Sequence, residues 1–465
     1  MPERGQPLRK LGFLTIGRFA ADDPRPGIEE TLEVIERAEA LGYDSVWLRC
    51  RHLQAGISSP VAIMAAASQR TRHIELGTAV IPLGLENPLR LAEDLATVDL
   101  LSGGRVNPGV SVGTPMLYDH YKTELYPESH ALQDFSKERV LRLLRCLRGE
   151  PVSDFAGTVG IEQFSDHVQP HAPGLADRVW YGGGRDSAIW AAEQGINYLT
   201  SSVVSIEGTA SRDFATIQAE HIDAFRAAHR HPDRARVSQG LVVIPTDSAT
   251  DDQVCRYREY AASRFDRTTT PQGPRGMLFS PDYVGTSDEL ADQLYDHAGF
   301  RRADEVAFAL PFSFAAEDYA QIITDIAERL GPALGWARPA RDAESPHGLR
   351  HRPRRPSTRP DRGGTQRRRE ADVRRTGLPD RRTHGGMRER PRWPDGAGAT
   401  RADRAAARSR PRRADDHGRP RNPGLGPGRR RRRRHRPRAA RVGRPGRRVR
   451  QESAAEVVVP PAPAG

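Results

Sequence analysis

Short apolar runs alternate with longer stretches whose apolar positions recur every three or four residues, and the alternation continues from about residue 11 to residue 330. The first run is Leu11–Gly17. It is followed by Gly27 and a stretch that places Ile28, Leu32, Ile35, Ala38 and Leu41 on one face, the spacing of an amphipathic helix, which Gly42 ends. Asp44–Leu48 is the second run, and Pro60 opens a second helix through Gln69. Ile74–Pro82 is the third run. A helix over Pro88–Leu101 and the turn Ser102-Gly103-Gly104 lead to the fourth, Arg105–Val112. After a polar stretch comes a helix carrying Val140, Leu143 and Leu147, then an irregular insertion over about 150–178. Arg178–Tyr181 is the fifth run, and Gly182-Gly183-Gly184 separates it from a helix ending near Gln194. Ile196–Thr200, Arg236–Ile244 and Glu305–Leu310 are the sixth, seventh and eighth. The remaining helices are predicted over about 209–229, over about 248–265, from Ser287, and over Asp318–Leu330.

Strands that each lead into a helix imply a parallel sheet, because parallel neighbours need long crossovers. Eight such units close naturally into a (β/α)8 barrel, so the predicted fold is an α/β TIM barrel with an insertion. The runner-up is a doubly wound open sheet, which the lack of GxGxxG after the first strand weakens. In a barrel the chemistry sits at the C-terminal ends of the strands. That directs attention to Thr15–Gly17, Arg49–Leu53, Thr78–Pro82, Ser111–Thr114, Gly182–Ser187, Thr200–Ser202 and Pro311–Phe314.

Charge divides the chain. Of its 72 Lys+Arg and 60 Asp+Glu, 38 and 13 fall in residues 341–465, which leaves 34 and 47 in residues 1–340. An acidic body of net charge −13 is thus followed by a basic tail of about +25, and the overall +12 describes neither. The predicted domains are 1–340, the barrel, and 341–465, a low-complexity tail. The tail has no Phe, Ile, Tyr, Lys or Cys, and Arg429–Arg434 is an unbroken run. It cannot bury enough apolar surface to offset its conformational entropy, and disorder is expected. Two readings stay open: a polyanion-binding tail on a scaffold barrel, or out-of-frame translation of a GC-rich gene after about residue 340. The missing residue types favour the second.

No apolar run approaches the roughly 18 residues a membrane helix needs, and no signal peptide is visible. Three scattered cysteines, Cys50, Cys146 and Cys255, give neither a disulfide framework nor zinc spacing. The expectation is a cytoplasmic enzyme without a metal.

Among the strand ends, Gly182-Gly183-Gly184-Arg185-Asp186-Ser187 stands between a strand and a helix. Glycines admit a ligand to the backbone, and the free N–H groups of a helix start favour an anion. Ser187 adds a hydroxyl and Arg185 a charge. The plainer reading, a tight turn with a capping side chain, needs fewer glycines. Arg49-Cys50-Arg51-His52 ends the second strand, where a histidine can exchange protons near neutral pH. A solvated rim cluster is the plainer reading there. Gly77-Thr78-Ala79-Val80 ends the third strand with small residues that leave room for a flat ligand.

DSVWL followed by RH, then SPVAIMAAASQRTRHIELGTAVIPL, NPLRLAEDLATVDLLSGGRVNPGVSVG and WYGGGRDSAIWAAEQG, in this order and spacing, resembles the bacterial luciferase-like monooxygenases over about residues 8–338. The resemblance implies a (β/α)8 barrel that holds reduced flavin, usually FMN, at the strand C-termini and uses oxygen to oxidise an organic substrate. It implies an enclosed site, with a separate reductase to supply the flavin and two chains commonly paired. Carried over by position, Gly183, Gly184 and Ser187 bind the phosphate, with Arg185 beside them. Ala79 and Val80 lie beneath the ring at a cis peptide, and Ser201 lies near the ring system. The family's Glu-His-His reads Cys50-Arg51-His52 here, so Arg51 takes the place of the catalytic histidine and only His52 survives. An arginine stays charged and is a poor proton shuttle; it can hold an anionic substrate or stabilise negative charge. A family arginine after the fourth strand is Val112 here. The resemblance implies a flavin-dependent monooxygenase acting on a small organic molecule. The deazaflavin coenzyme F420, used for hydride transfer on the same barrel, is the close alternative.

Overall fold

The computed structural model describes residues 2, 4, 6–273 and 275–339. The expectations placed on 341–465 lie outside the described residues.

Eight parallel strands close on themselves. They are β1 Lys10–Thr15, β2 Ser45–Leu48, β3 Glu75–Pro82, β4 Val106–Ser111, β5 Trp180–Gly182, β6 Asn197–Thr200, β7 Val237–Pro245 and β8 Glu305–Ala309. Each pairs in parallel with its neighbours in chain order, and β8 pairs with β1 to shut the ring. Two strands are interrupted. β3 breaks at Ala79-Val80, whose peptide bond is cis, and β4 breaks at Pro108. The predicted third and fourth runs are therefore each two short pieces; in the fourth, Pro108 cannot donate to the ladder and the chain bends there.

A helix follows each strand: α1 Pro24–Leu41, α2 Pro60–Arg70, α3 Pro88–Ser102, α4 Glu138–Leu147, α5 Arg185–Gln194, α6 Phe214–Ala228, α7 Ser287–Asp296 and α8 Ala316–Asp325. α1 starts one turn before the predicted Gly27, since two prolines fit its first turn, and this leaves Ile28 exposed. Gly42, at φ 97°, ends it as expected. α6 and the helix Asp251–Ser263 are shorter than predicted. The polar stretch before α4 hides a helix, Tyr118–Leu125, and the irregular insertion contains a hairpin, Gly157–Val159 with Glu162–Phe164.

The string LSGGR that carries so much of the sequence signature is structural. Gly103 and Gly104 adopt φ of 74° and 87°. Arg105 then donates to the carbonyls of Ser68, Thr71, Ile74 and Ser102 at 2.8–3.1 Å. Asp99 grips Arg178 with both oxygens at 2.7 and 2.8 Å. These bonds tie α2 and α3 to the N-terminal ends of β4 and β5, the end opposite the chemistry in such barrels. Inside that end, Lys10 pairs with Glu75 at 2.5 Å and Arg236 with Glu305 at 2.8 Å. Glu305 is buried, and desolvation pushes its carboxyl up to about 7.

Candidate functional site

The barrel interior is filled by large residues set against missing side chains. Trp47, Trp180, Leu199 and Ala307 pack together. A Cβ on Gly77 would lie 2.7 Å from Cζ3 of Trp47, and one on Gly109 would lie 2.7 Å from Leu199. Two indoles fit across one layer because the neighbouring strands carry glycine at that level. Two residues further along these strands, alternation points Arg49, Ala79, Ser111, Gly182, Ser201 and Ala309 inward. Five of the six are serine or smaller. The upper level is consequently a shallow cup with an aromatic floor. Leu14, Ala79 and Val80 rest on that floor.

Val80 reaches across to β5: a Cβ on Gly182 would stand 3.0 Å from its Cγ1. The next residue, Gly183, faces Ser187, where an added Cβ would meet the serine Cβ at 2.5 Å and Oγ at 2.8 Å. Tyr198 of β6 donates its hydroxyl to the Gly183 carbonyl at 2.8 Å, which fixes the turn from behind. Gly184 precedes α5 with extended backbone and no side-chain cap, and nothing lies within 4 Å of where its Cβ would be. The N–H groups at the start of α5 point out of the helix, and the chain borders open space at Gly184. Arg185 is exposed, with Asp186 4.0 Å away. Behind the turn, burial holds the His221 imidazole down to about 4, neutral at physiological pH, so it adds no positive charge there.

The chain leaving β2 brings Arg51 and His52 to the same end. The Arg51 amide donates to the Ile57 carbonyl at 2.6 Å, and its side chain is buried. His52 is half-buried, with Nε2 3.1 Å from the Cys50 sulfur, while the Cys50 thiol donates to the Ser58 carbonyl at 3.4 Å. Arg49 lies 5.9 Å from the Phe312 ring of the β8 loop. Ser201, just past β6, accepts at Oγ from the Val203 amide at 3.1 Å and is exposed. Val112 is buried and apolar, so the β4 end offers no cation there.

The predicted positions Ala79, Val80, Gly183, Gly184 and Ser187 thus form one continuous edge. Arg51 and His52 stand on the β2 loop, beside β3 and three strands from the β5 turn. One residue, singled out above only as a strand end, had been given no role. Ser111 is 2% exposed, and its Oγ has no partner among the described residues, although it ends β4 at cup level. A buried hydroxyl without a partner is a place for a ligand's hydrogen bond. The period-two alternation from Gly109 would have located it. Among the described residues no group of three or more acidic, His or Cys side chains could hold a metal, and no helix is long and apolar enough to cross a membrane.

The family model described as luciferase-like monooxygenase matches residues 10–367. The chain is 28% identical over 359 residues to a 4-hydroxyprotoasukamycin monooxygenase of Streptomyces nodosus subsp. asukaensis, covering 71% of this chain and 94% of the relative. It is 34% identical over 142 residues to an F420-dependent glucose-6-phosphate dehydrogenase of Amycolatopsis mediterranei, covering 29% of this chain and 40% of that protein. The crystal structure of monooxygenase RslO1 from Streptomyces bottropensis has the same fold, with a TM-score of 0.53 at 19% identity, covering 70% of this chain and 99% of that one.

Proposed function

The chain belongs to the luciferase-like monooxygenase family, and on that premise we propose that it is a flavin-dependent monooxygenase that takes reduced FMN from a separate reductase and oxidises a small organic substrate with O2. The observation that carries this reading is the β5 turn. Gly183 gives Ser187 room to pack against the turn and Gly184 clears the way to the helix start, beside a cup of small residues that suits a flat ring. A phosphate there would meet the N–H groups of the helix start and the positive end of the α5 dipole. Ser187 and Arg185 would add a hydroxyl and a charge. Asp186 opposes an anion, but it is largely exposed and solvent screens it.

Bound flavin would supply the oxygen chemistry; the protein would supply position, dryness and charge. Ala79 and Val80 would support the ring from below, and Ser111 would offer its hydroxyl. Ser201 would border the ring system. Arg51 would hold a permanent positive charge against a developing negative one on the substrate or ring. His52, coupled to the Cys50 sulfur, would be the group able to hold or release a proton there.

A second reading has one observation in its favour, the 34% identity to an F420-dependent enzyme. Titrating the purified protein with FMN and with F420, each followed by absorbance and fluorescence, separates the two. FMN binding, with substrate-dependent oxygen uptake that falls in Arg51→Ala and Ser187→Ala, supports the first. Tight F420 binding without FMN binding overturns it. Exposed Leu89, Leu100 and Leu101 on α3 support pairing of two chains along that helix.

A further inference from the structure

The segment between β7 and β8 carries a charged cluster that the reading above does not use. Arg264 caps the helix Asp251–Ser263, and Arg267 lies in the short helix Asp266–Thr269. Both turn to one carboxylate. Nε of Arg264 is 2.7 Å from Asp282 Oδ2, and Nη2 of Arg267 is 3.5 Å from the same oxygen. The Asp282 side chain is 2% exposed, and the arginines are 16% and 20% exposed. Arg264 also donates to the Tyr260 hydroxyl and lies 4.3 Å from that ring. Arg267 lies 4.5 Å from the Phe279 ring. Two cations thus share one anion in a largely desolvated place. Arg267 makes no hydrogen bond to any described residue, and its Nε is buried without a partner. As a clamp for the loop it would be a poor one, since Arg264 already holds Asp282. As a receptor it has donors to spare beyond the 3.5 Å approach of Nη2 to Asp282.

The cluster sits at the mouth. The strand Met277–Phe279 pairs with Val203–Ser205, the chain leaving β6, and the Ser280 amide donates to the Ser202 carbonyl at 2.9 Å. Asp282 pairs with Val242 in the upper half of β7. On the other side Tyr260 meets Phe314 of the β8 loop at 5.0 Å. Aromatic faces and cations therefore line the arc of the mouth between β6 and β8.

We propose that Arg267, assisted by Arg264, binds an anionic group, a carboxylate or a phosphate, on the organic substrate, with Phe279 and Tyr260 against its apolar body. That the bound anion is the substrate to be oxidised rests on the flavin reading; that an anion binds there does not. The uncompensated charge makes the site favour anions over the matching neutral compounds.

The test is calorimetric titration of the full-length protein with benzoate and with inorganic phosphate, each with and without FMN. With FMN present to fill the β5 turn, wild-type protein is expected to bind at least one anion saturably, and the better of the two tells carboxylate from phosphate. Arg267→Gln is expected to weaken that binding about tenfold or more, with FMN affinity unchanged. Arg267→Lys keeps the charge without the fork and is expected to fall between. Wild-type affinity in both variants, or no saturable binding of either anion, overturns the proposal. If Arg267→Gln melts early, Arg267→Lys decides alone by the same criterion. Arg267-dependent benzoate binding in a protein that does not bind FMN upholds the anion site while removing the flavin reading. FMN binding with benzoate affinity indifferent to Arg267 does the reverse.

Discussion

Trp47 of β2 and Trp180 of β5 meet edge to face inside the barrel, with ring centroids 5.3 Å apart and planes at 87°. Each indole N–H is answered within the barrel, Trp47 by Ser45 Oγ at 3.1 Å and Trp180 by Asn107 Oδ1 at 3.2 Å. Such an arrangement contributes about 0.5–1.5 kcal/mol beyond the area it buries. Its larger consequence is positional. The pair closes the barrel between the ionic cluster at one end and the cup at the other, so anything bound in the cup is shielded from water below.

Gly77 tests the fit of this floor. A methyl there would be driven into the Trp47 indole, 2.7 Å from Cζ3. Gly77→Ala is expected to destabilise the fold by about 1–3 kcal/mol, the range for overpacking a filled core. Urea denaturation reads this as a lower midpoint at unchanged slope. A midpoint equal to wild type would mean that the indole moves aside freely and that the floor is not rigid.

Ser111 separates a structural role from a binding one. Its buried hydroxyl has no described partner, so Ser111→Ala should leave stability unchanged or slightly raised. If the hydroxyl serves a ligand, the same change should weaken FMN or substrate binding by about 2–10-fold, the worth of one neutral hydrogen bond. Equal affinities in both proteins would return Ser111 to the core.

Much of this was legible in the sequence for physical reasons. The eight strands announced themselves because each is an apolar run closed by glycine, proline or a helix start, and Gly182–Gly184 stood out because three glycines exceed what a turn needs. What escaped lies where no period exists. Tyr118–Leu125 has one buried residue, Tyr118, so no apolar stripe marks it. The arginines 264 and 267 meet Asp282 only because an irregular segment folds back along β6 and β7, which local patterns do not encode. The polar residues singled out by position, Arg51 and His52, reach the mouth, but spacing alone could not tell that Arg51 would be buried.

Acid should unfold the protein through buried imidazoles. His297 accepts at Nδ1 from the Phe300 amide at 3.1 Å, and its Nε2 is buried without a partner. Desolvation holds it down to about 4, against about 6.5 for a free histidine. The folded state therefore resists a proton that the unfolded chain accepts. Stability is full above about pH 6.5 and is lost as pH falls toward 4, by up to about 3 kcal/mol for this one group. Unfolding free energy measured across that range should fall less steeply in His297→Gln, by about one proton's slope. A pH dependence identical to wild type would show that His297 titrates normally.

Two adjacent glycines at the β5 turn should respond in opposite ways. Gly184 has extended backbone and an empty surround, so Gly184→Ala should fold and melt like wild type. Its methyl would nevertheless intrude beside the amides of Arg185 to Ser187, where the phosphate is proposed to sit, and FMN affinity should fall about tenfold or more, as for the loss of a charge-assisted hydrogen bond. Gly183→Ala instead collides with the Cβ of Ser187 at 2.5 Å and with its Oγ. It should cost about 1–3 kcal/mol of stability as well as binding, because backbone and a helix start must shift. Thermal melting and FMN titration of both variants separate the effects. If Gly184→Ala binds FMN as wild type does, the helix start is not where the phosphate rests, and the cofactor must be sought elsewhere on the rim.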